Sequence, residues 1–130
     1  LSRHARQVYG VEIVEDAVRD ALDNARLNGC KNVEFLPGAA ETVITDVAEQ
    51  GLRADVVVLD PPRKGCEPAV LDTIIRMSPQ RIVYVSCQPA SLFRDLRVFA
   101  ERGYAIAEIQ PVDMFPQTPH VECVASLVRV

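Results

Sequence analysis

The chain reads as an α/β protein built on a largely parallel sheet. Short runs rich in β-branched residues alternate with amphipathic stretches along all 130 residues. The runs DVVVL (55–59) and RIVYVS (81–86) are almost wholly apolar, as expected of strands covered by helices on both faces. Glycine closes most of the amphipathic stretches.

Val8 to Val14 reads as a buried strand, followed by a helix from Glu15 to Asn28. Val14, Val18, Leu22, Ala25 and Leu27 place apolar groups mainly on one side of that helix, and Gly29 caps it. Val33 to Leu36 is a second strand, Pro37-Gly38 a turn, and Ala40 to Gln50 a helix stopped by Gly51. The strand 55–59 leads into the loop Asp60-Pro-Pro-Arg-Lys-Gly65. Pro68 to Met77 reads as a helix that tolerates proline in its first turn. Arg81 to Ser86 is a strand, and Ser91 to Arg102 a helix ending at Gly103. Tyr104 to Gln110 and Cys123 to Val130 read as the last strands, joined by the proline-rich segment 111–120. Leu1 to Gln7 resembles the tail of a helix, so the chain opens inside an α/β unit and is expected to be a piece of a longer protein.

Composition narrows the function. Hydrophobic residues make up 48% and charged residues 25%, a balance that supports a packed core rather than disorder. The net charge of −4 argues against this piece being a nucleic-acid clamp by itself, although Arg63 and Lys64 offer a local basic rim. No apolar run is long enough for a membrane span, and the start has no signal-peptide pattern. Cysteines 30, 66, 87 and 123 include no Cys-x-x-Cys pair and have no histidine at zinc-finger spacing. Free thiols in a reducing cytoplasm are expected.

Four places can carry chemistry. Glu12, near the end of the first strand, could accept hydrogen bonds from both ribose hydroxyls of a nucleoside cofactor, or simply face solvent. Asp60, before two stiffening prolines, lies where open α/β sheets bind ligands; the bland alternative is a strand-ending turn. Cys87, in Ser-Cys-Gln-Pro-Ala, stands at the neighbouring strand end, close to a helix start that favours a thiolate nucleophile. By position alone the buried inert cysteine stays ahead, the usual fate of a lone Cys. Glu122, after His120-Val121, is either a general base or a charge on a solvated loop.

Taken together, VYGVEIVEDAVRDALDNARLNG, LDPPRKG, IVYVSCQPASLFRD and DMFPQTPHVEC resemble the uracil-5 RNA methyltransferases that act on tRNA and on large-subunit ribosomal RNA. The wording DMFPQTPHVEC is closer to the ribosomal RNA branch. The resemblance implies a class I S-adenosylmethionine-dependent, Rossmann-like sheet lacking its first strand and Gly-rich loop. Residues 1–130 would form part of a catalytic domain, with an RNA-binding β-barrel and any iron–sulfur cysteines outside it.

The resemblance further implies that Cys87 is the nucleophile, Glu122 the base, Glu12 the ribose ligand and Asp60 a cofactor-site aspartate. Ala39 falls where relatives can place a polar residue near the adenine, so only a backbone or apolar contact is expected there. Arg63 and Gln88 are the candidate donors to uracil O4. The implied reaction adds the thiolate to C6 of a flipped-out uridine, methylates C5 and removes the C5 proton, with no metal.

Two rival readings stand beside it. One is a cytosine-directed cysteine methyltransferase, which would need an acid at N3. The other is a non-catalytic cofactor-fold module acting as an interaction domain. If the first strand is missing, the strands 8–14 and 55–59 are expected to pair directly or to be bridged by another chain, because unpaired backbone is costly and adhesive.

Overall fold

The computed structural model describes residues Leu1–Val130, which divide into two compact units, Leu1–Gln50 and Gly51–Val130. In the first unit, β1 (Val8–Glu12) pairs in parallel with β2 (Val33–Pro37), and α1 (Glu15–Leu27) connects them. Helix α2 (Ala40–Glu49) follows β2. Of the apolar side of α1, Val18 is buried, while Leu22 and Leu27, the latter at the helix's last residue, are exposed.

The expected helical tail at 1–7 is only a 3₁₀ turn, Ser2–His4, because Ala5 turns extended. The Asn32 amide ties this segment down by donating to the carbonyls of Ser2 and Ala5, at 2.8 and 2.7 Å.

In the second unit, β3 (Val56–Leu59), β4 (Arg81–Ser86), β5 (Tyr104–Val112) and β6 (Glu122–Arg129) form one sheet in the order β3-β4-β6-β5. Helices α3 (Pro68–Met77) and α4 (Pro89–Glu101) complete it. The β3–β4 pair is parallel, but β6 runs antiparallel to both β4 and β5. The sheet is thus more mixed than the sequence suggests. The reason is the connection: β5 returns to β6 through a loop, not a crossover helix, so the two strands must oppose each other.

β5 also extends two residues beyond expectation, through Pro111 and Val112. Proline is admissible there because β5 is the sheet's edge strand.

The core is a one-to-one match across β4 and β6. Ile82, Tyr84 and Ser86 are buried, and they pair with Leu127, Ala125 and Cys123, which are buried too. Val70, Leu71, Ile74 and Met77 of α3 and Leu92, Leu96 and Phe99 of α4 complete this core. α3 starts at the anticipated Pro68, whereas α4 begins two residues before the expected Ser91, at Pro89. Tyr104 packs edge-on against Phe99, and its hydroxyl donates to the Pro79 carbonyl at 3.0 Å.

One expectation fails at β3. Val56 and Val58 are exposed, at 51% and 45%, so its apolar run does not mark a strand covered on both faces. β3 pairs in parallel with β4 in its own unit, and β1 with β2 in the other.

Candidate functional site

In the first unit the chain ends of β1 and β2 bring Glu12 and Ala39 into one neighbourhood. Glu12 pairs with Pro37, and the Gly38 amide donates to the Glu12 carbonyl at 2.9 Å. Gly38 adopts φ +140°, and a Cβ there would come within 2.7 Å of Val43 Cγ2. Only glycine lets the backbone turn this tightly toward α2. Ala39 is the N-cap residue of α2, and its carbonyl accepts from Thr42 and Val43 at 3.0 Å each. The Glu12 carboxylate is steadied by the Val14 amide, 2.8 Å from Oε1.

In the second unit the β4–β6 register organises the residues singled out by sequence. Ser86 pairs with Cys123 as the last rung of the ladder. The next residue beyond it on each strand is Cys87 on one side and Glu122 on the other, so the two leave the ladder side by side. Both are half-buried. Cys87 lies two residues ahead of α4, as expected.

The backbone around Cys87 is clamped by serine hydroxyls. Ser86 Oγ lies 3.1 Å from both the amide and the carbonyl of Gln88. Ser91 Oγ lies 3.0 Å from the Gln88 carbonyl and 2.9 Å from that of Arg63. Asp60 is exposed immediately after β3, whose pairing with β4 makes its chain end the neighbour of Cys87's strand. The Arg63 guanidinium reaches the Gln88 side-chain oxygen at 3.5 Å. The two candidate uracil O4 donors therefore meet each other beside the cysteine's strand end. His120 stands apart from this geometry, with its ring edge-on to Phe115 at a centroid distance of 6.4 Å.

Sequence reasoning missed a buried cluster behind the loop. Asp95 of α4 is fully buried and takes hydrogen bonds from the Cys66 amide (2.9 Å), the Tyr84 hydroxyl (2.5 Å) and Arg94 Nε (2.8 Å). Its signal in the sequence was an aspartate facing the apolar side of a helix, at the spacing of Leu92, Leu96 and Phe99. Burial pushes the Cys66 thiol from 9.0 up to about 11; the Tyr84 hydrogen bond opposes this and the Asp95 charge adds to it. Burial, reinforced by Asp95, also raises the Tyr84 phenol.

A stability prediction follows from the sign of the thiol shift. In the unfolded chain Cys66 ionises near 9.0, whereas in the folded chain it stays neutral until about 11. The folded state's advantage is thus fully present below pH 9 and is lost as pH rises through 11. Urea midpoints measured from pH 8 to 11 should fall in that window, and Cys66→Ala should make the fall shallower. An equally steep fall in Cys66→Ala would assign it to other groups.

Comparisons with known proteins bear on the family and the fold. The family model described as tRNA (Uracil-5-)-methyltransferase matches residues 1–130. An uncharacterized RNA methyltransferase of Halalkalibacterium halodurans is 58% identical over 127 residues, covering 98% of this chain and 28% of that protein. One from Geobacter sulfurreducens is 55% identical over 129 residues, covering 99% of this chain and 26% of that protein. The chain therefore spans little more than a quarter of these relatives' length.

Among solved structures, the Pyrococcus abyssi tRNA (uracil-54, C5)-methyltransferase in complex with S-adenosyl-L-homocysteine superposes with a TM-score of 0.82. It is 35% identical, and the match covers 98% of this chain and 30% of that one. An rRNA methylase from Streptococcus thermophilus, 12% identical with a TM-score of 0.75 over 100% of this chain and 77% of that one, shares the fold alone. The two units thus carry the methyltransferase α/β fold expected from the sequence, and the chain belongs to the tRNA (uracil-5-)-methyltransferase family.

Proposed function

We propose that this chain is the catalytic portion of an enzyme that methylates C5 of uridine in RNA, with S-adenosylmethionine as methyl donor. The observation that carries this reading is the β4–β6 register, which sets Cys87 and Glu122 side by side at one strand end. Addition of a thiolate to C6 and removal of a proton from the adjacent C5 need a sulfur and a carboxylate in that relation.

The first unit has features that suit a nucleoside sulfonium. The Glu12 carboxylate is oriented by the Val14 amide yet keeps lone pairs for ribose hydroxyls. Gly38 makes the tight turn into α2, and Ala39 at its start offers backbone and a methyl group to a flat base. Asp60, exposed at the end of β3, is assigned to the cofactor as well. The cofactor supplies an electrophilic methyl group.

The chain's residues do the rest. Cys87 sulfur bonds to uracil C6, and the C5=C6 electron pair moves toward O4 as an enolate. Arg63, with Gln88 beside it, stabilises the charge growing on O4. C5 takes the methyl group as the sulfonium's methyl–sulfur bond breaks, Glu122 then removes the C5 proton, and the C5–H electron pair re-forms C5=C6 as the thiolate leaves.

The RNA is assigned to large-subunit ribosomal RNA on the wording of residues 113–123. The Pyrococcus abyssi relative, by its name, acts on tRNA at uracil 54. Full-length protein incubated with tritium-labelled cofactor and each RNA in turn tests both points. Label should appear in 5-methyluridine, and in ribosomal RNA in preference to tRNA. Label in 5-methylcytidine would overturn the base assignment, and preferential labelling of tRNA the choice of RNA.

A companion experiment addresses the covalent step. With RNA carrying 5-fluorouridine, fluorine cannot leave as the proton does, so a protein–RNA adduct should persist through denaturation. Intact mass should show the adduct in the parent and not in Cys87→Ala. The same adduct in both would remove Cys87 from the mechanism.

A further inference from the structure

We propose that Asp95 is a positioning residue: its buried carboxylate locks the Arg63–Cys66 backbone onto α4 and so fixes the Arg63 guanidinium beside Gln88. The proposal rests on the reading of Arg63 as the donor to uracil O4. It adds a buried residue of α4 that is bonded to β4 through Tyr84.

The lock is made of several independent bonds between one short loop and one helix. Asp95 Oδ2 accepts from the Cys66 amide and from the Tyr84 hydroxyl, which joins the loop to β4 as well. Asp95 Oδ1 holds both Arg94 Nε and Nη2, and Nη2 also donates to the carbonyls of Lys64 (3.0 Å) and Cys66 (3.3 Å). Ser91 Oγ, one turn earlier on α4, meets the Arg63 carbonyl. Successive loop residues, Arg63, Lys64 and Cys66, are thus each tied by backbone atoms to α4.

Gly65 fits between them only because it lacks a side chain. Its φ is +83°, and a Cβ would lie 2.5 Å from Arg94 Nη2 and 2.6 Å from Asp95 Oδ2. The exposed Arg63 side chain has little to orient it except the backbone it grows from and the 3.5 Å approach to Gln88. Since Gln88 caps the same helix that holds the loop, α4 sets the position of both partners.

Asparagine at 95 is nearly the same size but cannot reproduce the lock. Asp95 faces donors on both oxygens, so an amide NH₂ in either orientation must oppose a donor. Full-length Asp95→Asn should form the 5-fluorouridine adduct at saturating RNA about tenfold more slowly than the parent, as expected for a misplaced catalytic group.

The decisive comparison is with Arg63→Ala. If Asp95 acts through Arg63, the double variant Arg63→Ala/Asp95→Asn should be no slower than Arg63→Ala alone, an interdependence that a purely structural loss would not give. Additive losses overturn the proposal.

Should Asp95→Asn fail to fold, Arg94→Gln serves. Its side chain is 56% exposed, and glutamine removes the two carbonyl contacts together with the cation paired to the buried Asp95 carboxylate. It too should slow adduct formation, by about threefold or more, and only when Arg63 is present. Parent-like rates in Arg94→Gln overturn the lock. A parent that forms no adduct at all would instead refute the proposed chemistry, so the two failures are distinguishable.

Discussion

Replacing Cys87 by alanine in the full-length protein should reduce methylation by at least about 10⁴-fold, the scale seen when a covalent nucleophile is removed and binding groups remain. Uracil C5 is a poor nucleophile toward a sulfonium, and no other group at this strand end can raise its reactivity by adding to C6. Cys123 is one rung away but buried in the core, facing Ser86 across the ladder, so it cannot substitute. Cys66 is held behind the loop with its thiol kept protonated. Binding should survive, because Cys87→Ala leaves Arg63, Gln88 and the serine clamps intact. Filter binding of substrate RNA alongside initial rates makes the test. Loss of RNA affinity in proportion to the rate would point to a structural cysteine.

Glu122→Gln should give a different defect, with turnover lower by about 10²- to 10⁴-fold and the covalent species accumulating on ordinary uridine RNA. The amide is isosteric, so the first residue of β6 should still pair with Val112 of β5. In the proposed reaction thiolate addition and methylation precede proton removal, so the variant should stall after C5 is methylated. A denaturing gel of protein with labelled RNA should show a shifted band in Glu122→Gln and little in the parent. Slow turnover without a shifted band would place Glu122 before methyl transfer, and fast turnover would remove it from catalysis.

Much of this architecture was legible in the sequence for simple reasons. Helix α3 and strand β4 fall on the residues expected, because proline at a helix start and an unbroken β-branched run are strong local signals. The direction of β6 was not legible, since an apolar strand reads the same whether its partner is parallel or antiparallel. The exposure of Val56 and Val58 was hidden for a related reason: apolar composition reports what a strand can bury, not what lies against it. Cys87, Glu122 and Asp60 were each ambiguous alone. Their relation depends on register, which only the paired strands supply. Asp95 escaped because its partners are a backbone amide, a tyrosine and an arginine, none of which forms a recognisable spacing with it.

The β4–β6 register also determines which changes of length this protein can absorb. Side chains alternate along β6, with Cys123, Ala125 and Leu127 buried and Glu122, Val124 and Ser126 between them. Deleting one residue inside β6 would turn Glu122 onto the opposite face and drive a carboxylate or a serine toward the core. The connection at 113–121 carries no such ruler, because its far end is fixed by pairing on both sides of β6. Homologous loops of different lengths should therefore graft into that connection without moving Glu122. It is the natural place to vary substrate preference by insertion, whereas the strand beside it tolerates substitution but not counting errors.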